Sequence, residues 1–145
     1  MQKIIIAALA LCFSLSALAE QKVAIRGYDV HYMALSTAEL TEDVAAAYGI
    51  NRSNKQAFLS ISVLKPQPDS IVAVPVEANV TGSFRNMIGQ TRQLEFRQVK
   101  EGSAIYYLAE FRFLNEEILR FTLQVEPEGG ASQTVEFQQS IWEAL

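Results

Sequence analysis

The chain contains one histidine, His31, within the stretch GYDVHYMAL at residues 27 to 35. Asp29 stands two residues before it, and Tyr28 and Tyr32 stand close by. A neutral imidazole beside a carboxylate can act as a general base or a metal ligand. Hydrolysis through a covalent intermediate also needs a positioned nucleophile, and no G-x-S-x-G turn is present to supply one. The sole cysteine, Cys12, lies in the apolar run at the start of the chain. Zinc takes three or four His, Cys or carboxylate ligands, so with one histidine the others would all have to be carboxylates. The expectation is therefore no metal and no cofactor, with His31 and Asp29 kept as a candidate surface pair.

The carboxylates group as Glu116 with Glu117, Glu126 with Glu128, and Glu42 with Asp43, joined by Glu95 and Glu110. Two of them converging across a cleft would suit glycoside hydrolysis. Their positions, outward on strands or in turns, read instead as a solvated face. No D-x-D-x-D-G loop offers calcium enough oxygen ligands. The segment GINRSNKQ, residues 49 to 56, is the densest polar stretch, with Arg52, Ser53, Asn54 and Lys55. On a connection between elements these residues can contact an anion or a partner chain. Asn and Ser can equally satisfy backbone groups where a helix becomes a strand. The aromatics Tyr107, Phe111, Phe113, Phe121, Phe137 and Trp142 fall at strand spacing and read as core, with Tyr106 on the opposite face.

The elements that position these residues follow from periodicity. Residues 28 to 35 alternate in polarity like a strand. In TEDVAAAYG, Thr41 can cap a helix, Glu42 and Asp43 suit its positive N-terminal end, and Gly49 can close it. A helix of about two turns is marginal alone, so it must pack a side carrying Val44, Ala45 and Tyr48. After it the chain reads as strands. KQAFLSISVLK, IVAVPVEANVTGSF, QLEFRQV, AIYYLAEFRFLN, EILRFTLQVE and QTVEFQQSIW are separated by Pro, Gly, Asn, Asp and Ser. The second of these places Val72, Val74, Val76, Ala78 and Val80 on one face, and its Pro75 marks an edge or a bulge. About seven strands and one short helix predict a mainly β, antiparallel sandwich or open barrel. Residues 20 to 27 read as a flexible entry.

The first residues, MQKIIIAALALCFSLSALAEQ, combine one lysine, a short apolar run and an A-x-A site, the pattern of a secretory signal peptide cleaved after Ala19. The apolar run is shorter than the ~20 residues a bilayer span requires. Removing nineteen residues leaves a 126-residue chain, residues 20 to 145, without cysteine. Such a chain is read as one domain that must be held by its core, with no disulfide framework. The formal net charge of −4 becomes about −5 without Lys3. An acidic balance argues against nonspecific binding to nucleic acid or an anionic membrane.

The blocks DVHYMALSTAELTEDVAAAYGINRSNKQAFLSISVLK and AIYYLAEFRFLNEEILRFTLQVEPEG, with the closing VEFQQSIW, resemble the bacterial domain-of-unknown-function family 4426 over essentially the whole mature chain. The resemblance departs at Glu42, where proline is common in the family; either residue suits a first helical turn. It implies an exported, periplasmic protein of the Gram-negative envelope with an immunoglobulin-like β-sandwich. The family has no established activity and so no catalytic residues to carry over. The combined expectation is a noncatalytic module binding an envelope protein or a cell-wall component, through a surface that includes His31, Asp29, Arg52, Ser53, Asn54 and Lys55. The alternatives are a periplasmic hydrolase using carboxylates around His31, or a carrier of a small ligand inside the sandwich.

Overall fold

The computed structural model describes residues 21–143; the signal-peptide expectation for residues 1–19 lies outside them. The described chain folds as two antiparallel sheets face to face. The strands are β1 (Lys22–Ile25), β2 (Tyr28–Ser36), β3 (Gln56–Gln67), β4 (Ser70–Pro75), β5 (Ala78–Arg85), β6 (Thr91–Leu94), β7 (Arg97–Glu101), β8 (Ala104–Arg112), β9 (Glu117–Pro127) and β10 (Gln133–Ile141). A 3-10 turn at Thr37–Glu39 and one helix, α1 (Glu42–Tyr48), separate β2 from β3. The larger sheet runs β1-β2-β3-β8-β7, and the smaller runs β10-β9-β5-β6. The expected antiparallel sandwich with one short helix is what forms.

The strand count differs from seven for three local reasons. Residues 22 to 25, expected as a flexible entry, pair with β2 as an edge strand. QLEFRQV divides at Phe96 into β6 and β7, which belong to different sheets. The valine-rich run also divides, since the Val76 amide donates to Val63 in the larger sheet while the next carbonyl, Glu77, accepts from Glu128 beside the smaller one. Alternation continues in phase across that crossing, so Val72 and Val74 look like core in sequence but are exposed on β4.

Strand β3 is twelve residues long and forks its sheet. Its first half pairs with β8, from Gln56 opposite Arg112 to Ile61 opposite Tyr107. Its second half pairs with β4, through Leu64 opposite Pro75 and Lys65 opposite Val74.

The main core lies between the sheets. On β9, Leu119, Phe121, Leu123 and Val125 are each 1% exposed or less, and burying each such side chain contributes about 1.5–3 kcal/mol. Aromatic rings tie the sheets together: Tyr32 stacks on Phe137 at 3.8 Å and Phe84 meets Phe111 at 4.8 Å, while Phe137 stacks on Phe121 at 5.0 Å within the smaller sheet. The buried Tyr107 hydroxyl accepts from the Ala78 amide at 2.8 Å, bridging the sheets at the start of β5. Trp142, expected in the core, is instead exposed just beyond β10.

Helix α1 packs on the outer face of the larger sheet. The Thr41 hydroxyl accepts from the Val44 amide, and Gly49 closes the helix in the left-handed conformation (φ 67°). Ala45 and Ile50 are buried against Phe58 and Leu108, flanked by Leu35, Leu40, Tyr48, Val99 and Tyr106. Val44, expected on the packed side, is exposed, because a two-turn helix this close to the sheet buries only a narrow stripe through Ala45 and Tyr48.

Candidate functional site

The six residues expected to form one surface fall into separate places. His31 and Asp29 lie on the outer face of the larger sheet, on β2. His31 is directly opposite Lys22 on β1 and Ser62 on β3. The Asp29 carboxylate lies 3.7 Å from the Lys22 ammonium. The Ser62 hydroxyl donates to the Ile105 carbonyl at 3.4 Å, where β3 forks. An acid, an imidazole and a hydroxyl are therefore side by side, but the acid faces a lysine and the hydroxyl proton is directed at a backbone carbonyl.

Arg52 and Ser53 hold the loop after α1 in place. The Thr37 hydroxyl, fully buried, accepts from the Ser53 amide at 2.8 Å and donates to the Ser53 carbonyl at 3.0 Å. The Ser53 hydroxyl accepts from the Lys55 amide at 3.1 Å. Arg52 donates to the Ala38 carbonyl at 3.0 Å and lies 3.8 Å from the Glu42 carboxylate. These bonds satisfy backbone groups where helix becomes strand, as Asn, Ser and Thr side chains commonly do. Arg97 donates to the Tyr48 carbonyl at the helix end. The Tyr48 hydroxyl donates to Glu101 at 2.7 Å, and that bond, with partial burial, pushes its pKa up to about 12. Asn54 is exposed at the turn into β3.

Of the six, Lys55 borders a concavity at one end of the sandwich. Its ammonium lies 2.5 Å from the Glu143 carboxylate, and its carbonyl accepts from the Phe113 amide at 3.2 Å. Four connections meet at this end of the sandwich: the loop after α1, the β5–β6 and β8–β9 turns, and the segment after β10. The register brings them together, with Gln56 opposite Arg112, Arg85 opposite Arg120 and Ile141 opposite Glu117. Between them opens a concavity of about 350 Å3 whose wall includes Lys55, Phe84, Arg92, Arg112, Phe113 and Glu117. Arg92 and Arg112 have no carboxylate within 4 Å among the described residues. Leu114, also in the wall, is 73% exposed.

The arginines escape sequence reasoning because each looks like an ordinary outward or loop position. The readable signal was positional: several basic residues fall near strand ends that must meet once the hairpins are paired. Among the described residues, no group of three or more His, Cys, Asp or Glu is placed to hold a metal ion. No helix among them is long and apolar enough to cross a membrane.

Together the two sheets, the capped helix and the converging loops define a β-sandwich that displays loops at one end of a packed core. The family profile "Domain of unknown function (DUF4426)" matches residues 22–144, and the chain belongs to that family. A crystal structure of a DUF4426 family protein from Pseudomonas aeruginosa PAO1 is similar, at 36% identity and TM-score 0.73 over 87% of this chain and 97% of that one. The fold also resembles a copper-bound variant of FetP from uropathogenic Escherichia coli strain F11. That match has 11% identity and TM-score 0.63, covering 87% of this chain and 97% of that one. The "as isolated" FetP of the same strain, recombinantly expressed in the periplasm of E. coli, gives 10% identity and TM-score 0.64 over 86% and 94%. At these identities the FetP likeness is one of fold. No curated protein matches the chain.

Proposed function

We propose that this chain is exported to the periplasm and works there as a noncatalytic binding module, holding an envelope protein or cell-wall component at its loop end. The leader pattern of residues 1 to 19 supports export. The observation that carries the binding reading is the concavity under Lys55, Arg92 and Arg112, with Phe84 and Phe113 in its wall. A mixed basic and apolar hollow framed by loops on a rigid scaffold suits recognition.

Photo-cross-linking in cells tests it, with benzoylphenylalanine placed at Leu114 or, as a control, at Thr134 on the outer face of β10. A discrete adduct is expected at Leu114, weakened by Arg112→Glu and absent at Thr134. Adducts at neither position, or equally at both, would remove the reading. Osmotic-shock fractionation tests location, and retention of the unprocessed chain in the cytoplasm would refute export.

The hydrolase reading retains one observation, the Asp29–His31–Ser62 row. Against it stand the Ser62 bond to Ile105 and the Lys22 pairing of Asp29. Labelling by a fluorophosphonate probe that disappears in Ser62→Ala would revive it.

A further inference from the structure

The outer face of the smaller sheet contains a row that opposes two like charges. Arg85 on β5 is directly opposite Arg120 on β9, and Arg120 is directly opposite Gln138 on β10. Like charges placed directly across an antiparallel pair repel one another. In an acidic chain a nearby carboxylate would be the ordinary remedy. None lies within 4 Å of either guanidinium among the described residues, and neither donates a hydrogen bond there. The next outward residue on β10, Glu136, faces Thr122 in the following row.

This row lines a concavity of about 420 Å3, distinct from the one at Lys55, with Asn86, Met87, Gly89 and Ile118 completing its wall. The turn above it is closed tightly. The Asn86 amide donates to the Gln90 carbonyl at 3.0 Å, and the Asn86 side chain accepts from the Gln90 amide at 2.8 Å. Gly89 has φ +84°, and a Cβ there would stand 3.1 Å from Arg85 Nη2. The glycine thus leaves the space that the Arg85 guanidinium occupies beside the turn, in the wall of the hollow.

We infer that Arg85 and Arg120, with the Gln138 amide, form a binding site for a phosphate group. Two guanidinium forks and an amide present more donors than the two oxygens of a carboxylate can engage. A tetrahedral phosphate offers oxygens to both forks and cancels their repulsion. The chemistry is the same for free phosphate and for a phosphate carried on a lipid headgroup. The inference rests on the register and the missing counter-charge, independently of any partner at the Lys55 concavity.

Thermal melts of the purified chain with inorganic phosphate supply the test, on wild type, Arg85→Gln, Arg120→Gln and the distant control Lys65→Gln. Without phosphate, either arginine variant should melt about 1–4 °C above wild type, since the like-charge row is relieved. With a Kd near 1 mM, about 10 mM phosphate should raise the wild-type Tm by about 5 °C. Lys65→Gln should respond like wild type, while the arginine variants keep only the general salting effect of phosphate. Co-sedimentation with phosphatidylglycerol vesicles separates the sources. Retention lost in Arg85→Gln and Arg120→Gln assigns the phosphate to a lipid headgroup, and a phosphate-induced shift without retention assigns it to a soluble phosphate. Equal phosphate shifts in all four proteins, vesicle retention indifferent to both arginines, or neither shift nor retention would overturn the inference.

Discussion

Gly82 sits in the middle of β5, opposite Leu123 on one side and Leu94 on the other. A Cβ at this position would lie 2.5 Å from Leu123 Cδ2, 2.6 Å from the Thr122 carbonyl oxygen and 2.9 Å from Leu123 Cα. Comfortable carbon–carbon contact begins at about 3.5 Å, so the methyl of Gly82→Ala overlaps its neighbours by up to ~1 Å. Leu123 is fully buried and cannot swing into solvent, and two of the three close atoms belong to the β9 backbone. Overpacking of this kind costs about 1–3 kcal/mol, and the reduced freedom of the unfolded alanine chain offsets about 0.4–1 kcal/mol of that. A net loss of about 1.3 kcal/mol in a domain of this size lowers Tm by about 5 °C. Thermal unfolding followed by circular dichroism measures it. The double variant Gly82→Ala with Leu123→Ala divides the clash: if the side chain dominates, the pair is less destabilised than the sum of the singles by about 1 kcal/mol. A Gly82→Ala protein melting within about 2 °C of wild type would refute the close approach of β5 and β9.

Other perturbations test other parts of the architecture. Thr41→Ala removes the cap from α1 and should lower Tm by about 4 °C, near 1 kcal/mol; an unchanged melt would mean the cap bond is not formed in solution. Tyr48 is held protonated by its bond to Glu101, so its contribution is complete below the ordinary tyrosine pKa near 10 and is lost as pH rises toward about 12. Ultraviolet titration should show a late tyrosine ionisation that Tyr48→Phe removes. Lys100, bonding Glu77 at 2.9 Å, holds its carboxyl below the usual range. That contribution is present above the unfolded carboxylate pKa and fades as pH falls through the folded one, and Lys100→Met should raise the Glu77 midpoint seen by NMR.

The parts legible in sequence were those whose geometry is local. Strand β9 alternates without interruption because one face is core and the other is water, and Thr41 and Gly49 bound α1 by satisfying its own end groups. Strand β1 was hidden because four residues are too few for periodicity to speak, and its pairing with β2 depends on the turn at Gly27 (φ +80°). The crossing at Val76 was hidden because β4 and β5 keep the same alternation in different sheets. The candidate site divided for a similar reason. Thr37 and Ser53 bond across sixteen positions, which turns half of the polar loop into a latch. The Arg85–Arg120 row exists only through a register that joins strands more than thirty residues apart. Net charge described the whole chain and concealed a basic end.

Forked β3 divides a single strand into two regimes of opening. From Ala57 to Ile61 its inward residues are buried and β2 and β8 hold it on both edges. Beyond Leu64 it leans mainly on β4, whose Ile71 and Val72 stand in solvent and whose far edge is unpaired among the described residues. Amide hydrogen exchange along this one strand should therefore fall from protection at the level of global unfolding near Leu59 to rapid local exchange near Gln67. The β3–β4 hairpin can open while the sandwich stays shut, which makes its turn at Pro68 and Asp69 a suitable place to insert a reporter without disturbing the loop end.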